Sequence, residues 1–403
     1  MTALRLVLAT PVFRMLAGII GLMGVFNASI VPYQSLIGIE RIGLSHNAFA
    51  AVMVLASAIG VTTAVYVGIL TDQKANRRKI ALITACFGFA GVALMLIWPS
   101  PLTFIIANGL LMPVAGSLFG QAFALNRLAS FAHPTQREGI QATVRSSMSV
   151  TFLAMLIFWT FAFGAGTDVM AIYITGGLAS LGLVLLILTS WPHDGQTTWA
   201  DKPSGLKLSK ALAQLARPTV SLRLFCLGAV ISSGVLYMVV ISLVFEEAPG
   251  RTTADVALYV GLVAGWEVPF MLLLPRYLGH LPRARLILIG TAIYICHLVF
   301  MPYLAPTPAI WAMTFVAGFG GTAMLILPIS YYQDLLASQP GTAAALMALQ
   351  KLVGDIFAAL AFTIGTAYGG YWLVVLIGGG FALTGAFALW WLDYRRPFAM
   401  TTA

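Results

Sequence analysis

About twelve apolar runs, each close to twenty residues or longer and parted by short polar breaks, dominate this chain. A helix needs about 20 apolar residues to cross the hydrocarbon core of a bilayer, because only an intra-segment hydrogen-bond ladder satisfies the backbone there. The runs lie near 13–37, 47–70, 79–98, 102–126, 139–162, 168–190, 219–245, 255–276, 284–304, 309–334, 342–366 and 371–392. They are unbroken rather than alternating, which excludes a membrane β-barrel. Composition agrees: 60% of the 403 residues are apolar, 9% are charged and mean hydropathy is +0.93. Soluble domains carry about 25% charged residues, so a soluble fold could not cover itself with this many charges. The expected class is an all-α integral membrane protein of about twelve spans.

The one long polar connection, 191–217, carries Lys202, Lys207, Lys210 and Arg217. It divides the chain into residues 1–190, a linker at 191–217, and residues 218–403, two pseudo-symmetric bundles of six spans each. Leu206 to Ala216 reads either as a helix lying on the membrane surface or as a solvated linker.

Orientation follows from Lys and Arg in the loops. With the N-terminus in the cytoplasm, the inside receives Arg5, Arg14, Lys74, Arg77, Arg78, Lys79, Arg127, Arg137, Lys202, Lys207, Lys210, Arg217, Arg223, Arg276, Arg283, Arg285, Arg395 and Arg396. The outside receives Arg41 and Arg251, while Arg145 and Lys351 fall within spans. Both termini are therefore expected in the cytoplasm. The net charge of +9 is accounted for by contact with anionic lipid, without nucleic acid. The cysteines Cys86, Cys226 and Cys296 sit inside apolar runs, with no metal or disulfide spacing, and read as small core residues.

The halves echo each other. Span two ends in Gly68, Leu70 and Asp72, followed by Arg77, Arg78 and Lys79; span eight ends in Pro275 and Arg276, followed by Gly279, Arg283 and Arg285. Repeated halves of this kind build many secondary transporters. The twelve spans, the central loop and the sequence from Gly68 to Arg78 resemble the major facilitator superfamily. The wider spacing Asp72, Asn76, Arg77, Arg78 is similar to the bacterial sugar efflux transporter (SET) family. So are Gly21 to Val25 with Pro32, Arg137-Glu138 with Arg145, Gly265-Trp266-Glu267-Val268-Pro269, and Tyr332-Gln333-Asp334-Leu335. The Gly-Pro of drug antiporters in span five is replaced by Met155 to Phe158, and Lys351 and Asp355 are not part of the pattern. The resemblance implies alternating access by two bundles, efflux of sugars or drug-like molecules, a bacterial inner-membrane location and a monomer as the default. It also implies that Asp72, Arg77, Arg78 and Asp334 gate the halves.

Ionisable residues inside the membrane cost at least about 2.5–3.5 kcal/mol on insertion scales and need a reason. Glu267, near the centre of span eight, has no basic neighbour in its own span. A carboxyl that takes up and releases a proton suits proton coupling; a protonated Glu bonded to a neighbouring helix is the structural alternative. Lys351 and Asp355 share a helix face, either as a structural pair or as a coupling pair. Arg145 either reaches the interface by snorkelling or faces the inner cavity. His297 reads as core packing.

Neutral polar groups offer the substrate contacts. Asn27 and Gln34 are seven apart, on one face of span one. Asn108 and Gln121 in span four are thirteen apart, about 220° of rotation, so a straight helix cannot aim both inward. Gln121 is the better candidate. Tyr237, Trp266 and Tyr331 either offer aromatic faces with polar tips to a substrate or serve as packing or interfacial-belt residues. Such a site fits a sugar, a glycoside or a small amphipathic drug better than a phosphate, which calls for arginine clusters. No phosphate-binding loop, metal motif or nucleophile motif occurs, so neither ATP as the energy source, nor a cofactor, nor a membrane enzyme is expected. Uptake on the same fold is the remaining alternative.

Overall fold

The computed structural model describes residues 3–74, 77–193, 218–278, 281–335 and 340–395. Among them every regular element is helical. Twelve helices are long and apolar enough to cross a membrane: Pro11–Arg41, His46–Gly68, Arg77–Ile97, Pro101–Ala132, Pro134–Gly164, Val169–Ser190, Pro218–Glu247, Thr253–Met271, Arg283–Leu304, Ile310–Pro328, Leu346–Tyr368 and Gly370–Arg395. They match the apolar runs one by one and are called spans one to twelve. Most of the connection expected at 191–217, with its lysines and the Leu206–Ala216 segment, lies outside the described residues, as do Asn76, Gly279 and Arg396.

Local chemistry sets the helix ends. Pro11 opens span one, where its missing N–H costs nothing. Ser100 caps span four reciprocally: its hydroxyl accepts from the Thr103 N–H, and Thr103 Oγ1 accepts from the Ser100 N–H at 2.9 Å. The turns between spans one and two and between seven and eight hold Gly43 and Gly250, at φ +81° and +74°. Those between five and six and between eleven and twelve hold Gly166 and Gly370, at +88° and +68°. Only glycine adopts these angles without strain, and their matching positions in the two sets of six helices are a structural trace of repetition.

Two spans are not straight. Span one breaks after Ile30, where Pro32 sits in a 3-10 turn, and ends in a π-helical stretch at Ile37–Arg41. Span four is π-helical over Ile105–Leu111. Such wide turns put the residues beyond them out of phase with a regular helix and are frequent at functional sites.

Contacts group the chain into two compact units, Met1–Gly43 with Leu55–Leu206, and Leu44–Val54 with Lys207–Ala403. In the first, Leu16, Ile19, Ile20, Leu118, Leu125, Val144 and Ile187 form one apolar core. Spans one and five approach so closely at Gly24 that a Cβ there would lie 2.6 Å from the Met148 carbonyl oxygen. In the second unit a Cβ on Gly354 of span eleven would lie 3.1 Å from the Gly228 carbonyl of span seven. Small residues drive helix association in lipid because they let backbones touch. The second unit also gathers the start of span two, where His46 Nε2 lies 3.3 Å from the Tyr371 hydroxyl and Phe49 and Phe362 rings meet.

Gly24→Leu is therefore expected to lower the apparent melting temperature in detergent sharply, by the equivalent of about 3 kcal/mol or more, because backbone cannot yield as a side chain does. Gly120→Leu, at a glycine with no neighbour within 4 Å, is the control. Equal losses in both variants would refute the close-packing argument.

The cysteine expectation is corrected in two places. Cys226 is buried, but Cys86 and Cys296 are exposed, on helix faces shared with Phe87, Phe89 and Phe300. An apolar run that faces lipid carries the same residue types as one that faces a core.

Candidate functional site

In the first unit the polar residues of spans one and four meet. Gln34 Nε2 donates to Asn108 Oδ1 at 2.9 Å, and Asn108 Nδ2 donates to the Phe104 carbonyl at 3.2 Å. Asn108 sits inside the π-helical stretch, which is why a regular helical wheel misplaces it. Gln121 points elsewhere: it is buried and donates to Thr84 Oγ1 of span three at 3.2 Å. The preference for Gln121 over Asn108 is thus corrected; Asn108 is the partner of Gln34. Asn27, half-buried, donates back to the Met23 carbonyl at 2.8 Å and keeps its amide oxygen for other contacts.

In the second unit Glu267 is half-buried in the middle of span eight. Its place is set by the glycines of span ten. A Cβ on Gly318 would lie 2.5 Å from Trp266 Cβ, and one on Gly321 would lie 2.9 Å from Glu267 Oε1 and 3.4 Å from Tyr294 Cε2. The glycines thus open the space in which the Glu267 carboxyl rests beside the Tyr294 ring of span nine. Thr322 fixes the backbone by donating to the Glu267 carbonyl at 3.3 Å. Among the described residues no ion pair reaches Glu267. Trp266 is exposed and meets Phe315 edge-on at 5.2 Å.

Two aromatic candidates take the packing alternative rather than the substrate one. Tyr237 is buried in the interior of its unit, its ring 5.3 Å from His297 and 6.3 Å from Tyr259 and Tyr294. It packs rather than lining an open surface. Tyr331 belongs to a buried polar cluster at the end of the spans: Arg223 Nε donates to its hydroxyl at 2.9 Å, and that hydroxyl donates to Asp393 Oδ2 at 2.9 Å. Arg223 Nη2 completes the triangle to Asp393 Oδ1 at 2.9 Å. Arg223 and Asp393 open and close this unit's helices in sequence, and opposite charges at one end of the first and last helix were the signal that pairs them.

Lys351 and Asp355 form their ion pair, Nζ to Oδ2 at 2.5 Å, with the lysine side chain 62% exposed and the aspartate 6%. Arg145 is exposed. Arg77 is buried, and Arg78 ties the start of span three to the end of span six, donating to the Leu188 carbonyl at 2.6 Å and to His193 Nδ1 at 2.9 Å. The side chains of Asp72 and Asp334 lie outside the described residues. His297 is buried completely.

Known proteins agree with this architecture. No protein-family model matches the chain. A Deinococcus radiodurans protein that bears a sugar-efflux-transporter name is 24% identical over 395 residues, covering 93% of this chain and 96% of the relative. Sugar efflux transporter C of Escherichia coli is 24% identical over 311 residues, covering 74% of this chain and 75% of its own. The crystal structure of the nucleoside transporter NupG superposes with a TM-score of 0.77 at 16% identity, over 95% of this chain and 99% of NupG, a likeness of fold alone. Twelve helices of membrane length, the fold shared with NupG and these relatives make one conclusion: the chain is a multi-pass membrane protein with the major facilitator fold, similar to sugar efflux transporters at about 24% identity over most of its length.

Proposed function

We propose that the chain exports sugars, glycosides or related small molecules across a bacterial inner membrane, in exchange for protons, by alternating access. The observation that carries the coupling is Glu267, a carboxyl in mid-membrane with no ion pair among the described residues, set beside Tyr294 by the glycines of span ten. A charge there is costly unless it is neutralised, so the side chain is suited to carry a proton in one state of the cycle and lose it in another. The Lys351–Asp355 pair is a further titratable element in the spans and serves either to neutralise itself or to couple.

Substrate recognition rests on neutral groups. Asn27, Gln34 and Asn108 supply amide donors and acceptors that suit hydroxyl-rich molecules, and Trp266 offers a ring face. The names of the relatives support sugars as the class. Arg77 and Arg78, with Asp72 and Asp334, are the gating residues of this reading, and Arg145 is a further charge for the substrate path. The loop charges support cytoplasmic termini: Arg41 and Arg251 alone fall on the opposite side.

The test is transport by the purified protein in liposomes with an imposed pH gradient. Lactose-like glycosides, simple sugars and common antibiotics are compared in one panel. A glycoside moved against its gradient, in step with protons, is the expected result. Transport of antibiotics alone would replace the sugar assignment, and transport indifferent to the pH gradient would remove the coupling.

A further inference from the structure

The interior of the second unit holds a chain of protic side chains that the transport reading does not use. His297 of span nine is completely buried, and neither ring nitrogen makes a hydrogen bond of good geometry. Tyr259 of span eight, also fully buried, stacks on the imidazole at 6.0 Å, and its hydroxyl finds no protein partner. Tyr294, one turn before His297, meets the imidazole edge-on at 5.3 Å. The Cδ2–Cε2 edge of the Tyr294 ring borders the same Gly321 space as the Glu267 carboxyl. Buried polar atoms without protein partners are ordinarily met by water, and the rings of Tyr259 and Tyr294 that flank His297 are both in contact with the imidazole.

The surroundings suit transfer rather than charge storage. The imidazole is faced by Tyr237 from span seven, Tyr259 from span eight and Tyr294 from its own span, with Trp311 of span ten beyond Tyr259. These neighbours carry no formal charge. Beyond Trp311 lies a cation, Arg251, whose guanidinium sits over that ring at 5.2 Å and donates to the Ala305 and Thr307 carbonyls, each at 2.6 Å. It pins the turn between spans nine and ten and stays out of the chain. A neutral imidazole in such a place accepts a proton at one nitrogen and releases one from the other.

We propose that Tyr259, His297 and Tyr294 form a proton relay through the interior of the second unit, leading from the turn that begins span eight to Glu267, apart from the residues that hold substrate. One proton enters at the Tyr259 end. Each hydroxyl takes a proton on its oxygen and passes on its own, the imidazole does the same between its two nitrogens, and the Glu267 carboxylate ends protonated. Each relay group returns to its neutral form by rotation of the hydroxyls and waters, and the reverse order discharges Glu267. The proposal rests on Glu267 being the coupling group.

The experiment compares Tyr294→Phe, His297→Phe and His297→Gln in liposomes, reading substrate-dependent proton flux with a trapped pH dye beside substrate exchange at equal pH. Both phenylalanine variants keep a ring but lose the protic atoms. They are expected to cut proton flux about tenfold or more while exchange stays within about twofold, and His297→Gln, which keeps a donor and an acceptor, is expected to recover much of the flux. Should His297→Phe fail to fold, Tyr294→Phe decides alone. Proton flux at the wild-type rate in the phenylalanine variants, with Glu267→Gln uncoupled, overturns the relay only. Wild-type flux in Glu267→Gln overturns the coupling reading as well.

Discussion

Glu267→Gln is expected to abolish proton-driven accumulation of substrate, by about a hundredfold or more, while exchange of substrate at equal pH continues. Gln has the size of Glu, so it fits the space left by Gly321, and the bond from Thr322 to the backbone carbonyl is kept. What is lost is the ability to give up a proton. Glu267→Asp keeps that ability on a shorter arm and is expected to retain partial coupling. Gly321→Ala presses on the carboxyl from the other side: its Cβ would sit 2.9 Å from Oε1, so the carboxyl must leave the Tyr294 ring, and coupling is expected to weaken with Glu267 itself intact. Accumulation by Glu267→Gln at the wild-type level would show that the proton is carried elsewhere, with Asp355 next in line.

The second large effect concerns stability. Arg223→Ala is expected to destabilise the protein by about 3–5 kcal/mol, since it strands a carboxylate that had been paired inside the fold. Arg223 is 5% exposed and the Asp393 side chain 22%, and Tyr331 is bonded to both. Removing the whole cluster should cost far less than removing one member. The triple variant Arg223→Met, Tyr331→Phe, Asp393→Leu takes away both charges and the hydroxyl together, and is expected to melt close to the wild type. Melting in detergent, followed by tryptophan fluorescence, reads all of these. An unchanged melting point in Arg223→Ala would mean that the cluster contributes nothing to folding.

Between them these residues mark how far the one-dimensional pattern could be read. Glu267 stands out in the sequence because a single carboxyl in an apolar run carries its own energetic argument, whatever its neighbours. Lys351 and Asp355 were legible because four residues bring side chains together within one helix. Asn108 was passed over because the regular wheel assumes one helical period, and the π-helical stretch at Ile105–Leu111 departs from it. For Tyr237 and Tyr331 both readings stay open in the sequence, because an aromatic in a span looks the same whether it lines a path or packs inside a unit. Cys86 and Cys296 failed in the opposite direction, since lipid accepts the residues that a core accepts.

The sequence by itself determined the number of helices of membrane length and their limits to within a few residues. These depend on bilayer thickness and on the cost of burying charge, which act on each segment separately. Only the tertiary structure decided which side chains meet: Gln34 with Asn108, Arg223 with Tyr331 and Asp393, Glu267 with Tyr294 across Gly321. Those pairings depend on how deeply glycines let neighbouring helices approach and on where a helix changes its winding. Both are properties of helices in contact, and hydropathy along a single strand of sequence does not carry them.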